Sequence, residues 1–240
     1  MQMPNTKSVL YLIPTPLGEN NIEEILPRGN LLIINQLRYF VVEQIRTARR
    51  FLRKTNPSFP IDDCQFFELN EHTQAQFKTH EIIDLLQQGH SVGLLSEAGL
   101  PCIADPGNIV VAAAQDKQIK IQPLVGPSSL MLALMASGFC GQKFIFHGYL
   151  PTNKNELTAK IKQMEANLLK NGTTQIFIET PYRNIQLFDS LLKNCQSETK
   201  LCIACHLTLK DEWIVCKRIA QWKQTSPPDI NKKPAVFLIG

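Results

Sequence analysis

The feature that most constrains this chain is a repeated unit of short apolar run, Gly/Pro/Ser-rich loop and helical stretch. Its clearest instance is Ser91-Val92-Gly93-Leu94-Leu95, which carries apolar side chains on both faces, as a strand in the middle of a parallel sheet requires. The turn Ser96-Glu97-Ala98-Gly99-Leu100-Pro101 follows, and then a helix from Asp105 to Gln115. Residues 119–124 repeat the strand, Gly126-Pro127-Ser128-Ser129 the loop, and residues 130–137 the helix. Earlier, residues 9–13 form an apolar run ended by Pro14-Thr15-Pro16-Leu17-Gly18. Residues 39–43 and 66–69 read as further strands, 45–54 as a basic helix and 73–88 as an amphipathic one. Residues 31–35 give no clear signal. This alternation predicts an α/β domain with a mainly parallel sheet.

Near residues 141–154 the pattern changes. Strand 144–150 and the hinge-like Pro151-Thr152-Asn153-Lys154 lead into helix 156–170, strand 175–179, helix 183–194 and strand 201–209. Strand 213–218, a polar loop 225–233 and a last strand 235–239 complete the chain. The reading is two α/β domains, 1–140 and 141–240, and 240 residues suffice for two cores.

Composition narrows the class. Hydrophobic residues at 44% and charged residues at 19% suit a globular protein, and no apolar run reaches the roughly 18–20 residues of a membrane span. The opening residues 1–7 are too polar and short for a signal peptide, so the expected location is the cytoplasm. The seven cysteines then read as reduced and mostly buried. Cys202-Ile203-Ala204-Cys205-His206 matches the haem-attachment pattern, but an alternating strand over 200–209 would send its two cysteines to opposite faces. The five histidines show no metal-ligand spacing, and no metal is expected.

Three loops, 14–18, 96–107 and 126–129, fall where strands of an open α/β sheet lead into helices, the usual place for a ligand. None carries a dinucleotide or P-loop glycine pattern, so a pyrophosphate anchor is not expected. Five cations, Arg46, Arg49, Arg50, Arg53 and Lys54, recur at helical spacing on one face. They suit a phosphate-gripping surface or a solvated helix face equally well.

The residues in these loops resemble a known family. Ser96-Glu97-Ala98-Gly99-Leu100-Pro101-Cys102-Ile103-Ala104-Asp105-Pro106-Gly107 resembles the S-D-A-G-x-P-x-I-S-D-P-G segment of the ribosomal RNA 2′-O-methyltransferase branch of the tetrapyrrole methylase superfamily. Leu12-Ile13-Pro14-Thr15-Pro16-Leu17-Gly18, Val125-Gly126-Pro127-Ser128-Ser129 and Ile178-Glu179-Thr180-Pro181-Tyr182-Arg183 resemble further family motifs in order. Val42-Glu43-Gln44-Ile45-Arg46-Thr47-Ala48-Arg49 stands where the family has A-E-D-T-R-x-T-R.

The resemblance implies a two-domain methylase with S-adenosylmethionine in a cleft between the domains, working as a homodimer on ribosomal RNA. It implies cofactor contacts from Pro14, Ser96, Glu97, Ala98, Gly99, Pro101, Ile103 and Ala104, and from Gly126, Pro127, Ser128 and Ser129. The second half would add Thr180, Pro181, Leu207, Thr208, Pro234 and Ala235. Glu43, Arg46 and Glu97 are the catalytic candidates, with Glu179 as a further carboxylate; each glutamate would equally serve as a helix N-terminal anion. Arg46, Arg49, Arg50 and Arg53 would hold RNA.

Gln44 replaces the family's acid, Glu97 its Asp, and Cys205-His206 its Arg-Glu, and the chain ends at Gly240, before the extra segment of many ribosomal members. These departures keep two alternatives in view, a methylase of a tetrapyrrole or other small molecule and a cofactor-binding protein without turnover.

Overall fold

The computed structural model describes residues 8–19 and 21–240. The expectation about residues 1–7 lies outside the described residues. The chain divides into two compact units, one ending at Ser128 and the other spanning Ser129–Gly240.

The first unit alternates strand and helix. It runs β1 (Val9–Ile13), α1 (Ile22–Ile25), α2 (Arg28–Gln36), β2 (Tyr39–Val42), α3 (Ile45–Thr55), β3 (Gln65–Glu68) and α4 (Thr79–Gln87). β4 (Val92–Leu95), α5 (Asn108–Asp116) and β5 (Lys120–Pro123) complete it. All five strands are parallel, in the order β3-β2-β4-β1-β5. β4 is the central strand and all four of its residues are buried, as its unbroken apolar run demands.

The chain winds from β1 outward to β3 and then back through β4 to β5. Right-handed crossovers put helices on opposite faces when that direction reverses. Two cores record this. α1, α2 and α3 pack Ile22, Ile34 and Leu52 against Ile13, Phe40 and Val42 on one face. α4 and α5 pack Ile82, Leu86 and Val110 against Leu10, Val41 and Leu94 on the other.

The second unit holds α6 (Ser129–Ser137), β6 (Phe144–Tyr149), α7 (Lys154–Asn171), β7 (Thr174–Ile178) and α8 (Asn184–Asn194). β8 (Lys200–Cys205), β9 (Trp213–Arg218), α9 (Ile219–Trp222) and β10 (Ala235–Ile239) follow. Its sheet, β6-β7-β10-β8-β9, is mixed: of its neighbouring pairs only β6–β7 is parallel. α7, α8 and α9 cover one face, burying Ile161, Phe188 and Trp222 over Phe177, Ile203 and Phe237. The Phe177 and Phe237 rings stack at 6.0 Å, and Trp222 Nε1 donates to Leu201 O at 2.9 Å. α6 lies against β8, β9 and β10.

One stretch without a clear sequence signal is settled by the structure, and two sequence expectations need correction. Residues 31–35 belong to a helix, α2, which Pro27 precedes as N-cap and whose Asn30 and Ile34 are buried. The amphipathic helix starts at Thr79 rather than at residue 73. There the Asn70 carboxamide accepts from the His72 and Thr73 N–H groups and makes a turn, an alternative that Asn offers the backbone. The strand expected over 201–209 stops at Cys205 because His206 and Thr208 take positive φ, 52° and 71°, which no strand accommodates.

Candidate functional site: the loops at the carboxyl edge of the parallel sheet

β1, β4 and β5 are neighbours, so the three Gly/Pro-rich loops leave the sheet side by side at its carboxyl edge. They are knit together through backbone groups. Thr15 and Gly99 exchange two hydrogen bonds, Thr15 N to Gly99 O at 2.9 Å and Gly99 N to Thr15 O at 3.1 Å. The buried Ser96 hydroxyl donates to Gly99 O, and the Thr15 hydroxyl to Ser96 O. Gly99 has φ +79°, a region that glycine enters without penalty. At Gly126 the approach to Pro14 is so close that a Cβ would lie 2.3 Å from the proline ring. Asn30 ties the third loop down from α2, its Nδ2 donating to Val125 O at 2.8 Å.

The segment after Gly99 is bent in an unusual way. Cys102 and Ala104 both take positive φ, 67° and 62°, at a cost of about 1–2 kcal/mol each. Asp105 holds the bend: its carboxylate accepts from Cys102 N and from Gly107 N, both at 2.8 Å. This leaves Ile103 half exposed, and Val125 on the next loop is 74% exposed. Both are apolar side chains beside turned backbone.

β2 adds the carboxylates. Glu43 follows β2 and Glu97 follows β4, its neighbour in the sheet. Glu43 Oε1 accepts from Glu97 N at 3.1 Å, and the Glu97 carboxylate lies beside the Gln44 N–H and Thr47, whose hydroxyl donates to Gln44 Oε1. Burial raises the pKa of both above the usual glutamate value. For Glu43 the Glu97 N–H works against that rise, while the charges of Asp105, Glu97 and Glu71 add to it. For Glu97, Thr47 and the Gln44 N–H oppose it. Asp105 is raised by burial too. From below, Asn70 Nδ2 donates to Glu43 O at 3.1 Å and fixes the turn.

A cavity of about 190 Å³ opens over this pair within the first unit. Pro16, Leu17, Ile22 and Phe51 give it apolar walls, and Arg50 and Lys54 of α3 bring positive charge. Arg46, Arg49 and Arg53 share a shallow basic surface with Arg50 and Lys54. Arg49 is bonded to Asp62 at 3.0 Å. The structure therefore brings Glu43 and Glu97 together and sets Arg46 outside the residues lining their cavity.

The second unit has its own loop cluster. β7 and β8 end where the antiparallel β10 begins, so 179–183, 206–212 and 229–235 gather at one edge of that sheet. Glu179 accepts from Thr180 N at 2.7 Å and pairs with Arg183 at 3.3 Å. Asn184, fully buried, donates to Ile230 O and Lys233 O at 3.0 and 2.7 Å. Lys232 N reaches Pro181 O, and His206 N reaches Pro234 O. His206 Nδ1 meets Asp211 at 2.6 Å, and Thr208 N donates to Glu212. Thr180, Pro181, Leu207, Thr208, Pro234 and Ala235 thus share one edge.

The sequence pattern of the tetrapyrrole (corrin/porphyrin) methylases matches residues 10–222. The chain belongs to that family. It is a methyltransferase. It is 31% identical over 230 residues to the ribosomal RNA small subunit methyltransferase I of Pasteurella multocida, covering 96% of this chain and 77% of that one. The Vibrio cholerae protein of the same name is 31% identical over 237 residues, covering 99% and 78%. Among solved structures, the methyltransferase CobJ shares this methylase's fold with a TM-score of 0.64 at 13% identity, over 97% of this chain and 93% of that one.

Several residues of the site escaped sequence reasoning. Thr15, Asn30, Thr47 and Asn70 are polar residues of ordinary loop and helix composition, and only the fold shows which group each one holds. A single signal was available for Asp105: an Asp two residues before a glycine at a helix start is a common acceptor for turn N–H groups.

Proposed function

We propose that this methylase transfers the methyl group of S-adenosylmethionine to a ribose 2′-hydroxyl of small-subunit ribosomal RNA. The observation that carries the reading is the Glu43 carboxylate, held by the Glu97 N–H, beneath a cavity edged by Arg50 and Lys54. It joins a carboxylate of raised pKa to a positive rim. The ribosomal RNA named in both relatives' descriptions supports the same substrate.

The loops suit the donor. They offer bent backbone at 99–104 and exposed apolar faces at Ile103 and Val125. Ser96, Glu97, Ala98, Gly99, Pro101, Ile103 and Ala104 would hold it with Pro14 and Gly126–Ser129. The donor brings its methyl already activated on a sulfonium.

Glu43 has the task of accepting the hydroxyl proton, since a carboxylate whose pKa is lifted toward neutrality is a better general base. Glu97 keeps it aimed through the N–H bond. Arg50 and Lys54 meet phosphates near the acceptor ribose, which makes binding salt-dependent.

The test is methylation of small ribosomal subunits with methyl-labelled S-adenosylmethionine, followed by digestion to nucleosides. Label is expected in an alkali-resistant 2′-O-methyl nucleoside, and Glu43→Gln is expected to slow the transfer by about 10²–10⁴-fold. Label on a base, or none on RNA, would contradict the substrate assignment.

A further inference from the structure

The Cys-x-x-Cys-His run at 202–206 takes on a different meaning in the fold. Cys205 joins Leu201 and Ile203 in the core beneath α7–α9, whereas Cys202 lies on the opposite face of β8. There it stands directly across from Cys216 of β9.

Backbone bonds fix the kind of pair. Lys200 exchanges both of its backbone hydrogen bonds with Gly240, on the β10 side, and Ile219 N donates to Thr199 O. Alternation along an antiparallel ladder then makes Cys202/Cys216 a non-hydrogen-bonded pair, with Cα atoms about 4.5 Å apart and side chains at their closest. That separation lies within the roughly 4.4–6.8 Å that a disulfide spans.

The two thiols face one another across this pair and perturb each other's titration. Cys216 is exposed and Cys202 fully buried. The Cys202 thiol, with Lys200 nearby, brings the Cys216 thiol down to about 7, while the Cys216 sulfur and burial push Cys202 up. A reachable thiolate with a second thiol directly behind it is the arrangement of a reactive cysteine and its resolving partner.

We propose that Cys202 and Cys216 form an oxidation site that takes low-molecular-weight disulfides of the glutathione class and closes to an intramolecular disulfide. The Cys216 thiolate attacks one sulfur of the small disulfide; a new S–S bond forms, the old one breaks, and one thiolate leaves with the proton Cys216 has given up. Mixed-disulfide formation removes the negative charge that holds the proton on Cys202. Cys202 then displaces the second small thiol, which leaves with the Cys202 proton. The protein dithiol is oxidised and one small disulfide is reduced to two thiols. The closed pair ties the stem of the β8–β9 connection, which carries Leu207 and Thr208.

The test treats the full-length reduced protein with oxidised glutathione at neutral pH, alkylates the remaining thiols and maps the peptides. The expected result is a Cys202–Cys216 linkage within one chain, reversed by dithiothreitol. Cys140, exposed and outside the strands, serves as the internal control and stops at the mixed disulfide. Cys202→Ser is expected to leave glutathione on Cys216, and Cys216→Ser to leave Cys202 unmodified. Both thiols still alkylatable in the wild type, a Cys216 adduct that never resolves, or a linkage between chains would each overturn the proposal.

Discussion

The two sheets solve the same problem by different means. In the first unit every strand is parallel, so all carboxyl ends lie at one edge and the loops there brace one another through backbone bonds, as Thr15 and Gly99 do. In the second, β10 runs against β7 and β8, and to the backbone bonds Lys232–Pro181 and His206–Pro234 the loops gathered at its start add the buried carboxamide of Asn184 and the carboxylates of Glu179, Asp211 and Glu212. Backbone bracing demands glycine and close approach. Side-chain bracing demands buried polar groups, and each of those is a single point of failure.

The largest effect is therefore expected in the second unit. Asn184→Ala removes two donors to the carbonyls of Ile230 and Lys233, and unsatisfied groups of this kind cost about 1–3 kcal/mol each. Denaturant unfolding is expected to show a loss of about 3 kcal/mol. A loss well below 1 kcal/mol would mean that the carbonyls find other partners and that the contrast between the sheets is overstated. Gly126→Ala probes the backbone-braced edge. Its Cβ would meet the Pro14 ring at 2.3 Å, so the two loops must separate, at a cost of about 1–3 kcal/mol. Retained stability would show that the edge is looser than its hydrogen bonds indicate.

The smallest effect, and the most diagnostic of the carboxylate cluster, is on pH dependence. Glu43 and Glu97 have folded-state pKa values raised above 4.5. Between that value and the raised one the folded state binds more protons than the unfolded, so their contribution to stability declines as pH rises through this window. They favour the fold most at the acid end. Titrating unfolding free energy against pH is expected to show this slope in the wild type and to show it weakened in Glu43→Gln. An unchanged profile would remove Glu43 from the cluster.

How much was legible in advance follows from the same contrast. The apolar run at 92–95 announces a central parallel strand because no other element needs both faces apolar, and the glycines and prolines of 96–107 and 126–127 mark loops that the fold then places side by side. By contrast, Leu31-Leu32-Ile33-Ile34 reads equally well as strand or buried helix, and its helical state is settled by packing on Phe40 and Val42. Residues 206–209 alternate like a strand, yet the acids at 211 and 212 turn them away by binding His206 and the Thr208 N–H. Arg46 shares helical spacing with Arg50, and only the seating of α3 decides which of the two reaches the cavity. Local chemistry identified the loops; long-range contacts chose the side chains that face one another.

The central claim is that the bent, backbone-braced loops are built to hold S-adenosylmethionine. Thermal unfolding with and without that compound tests it most directly. At about 100 times the dissociation constant, binding to the folded state adds roughly 2.7 kcal/mol. For a chain of this size that is a rise in Tm of roughly 5–10 °C. The account predicts such a rise, no response to NAD or ATP, and a much smaller one in Gly126→Ala. A wild-type Tm that does not move at millimolar S-adenosylmethionine would contradict it.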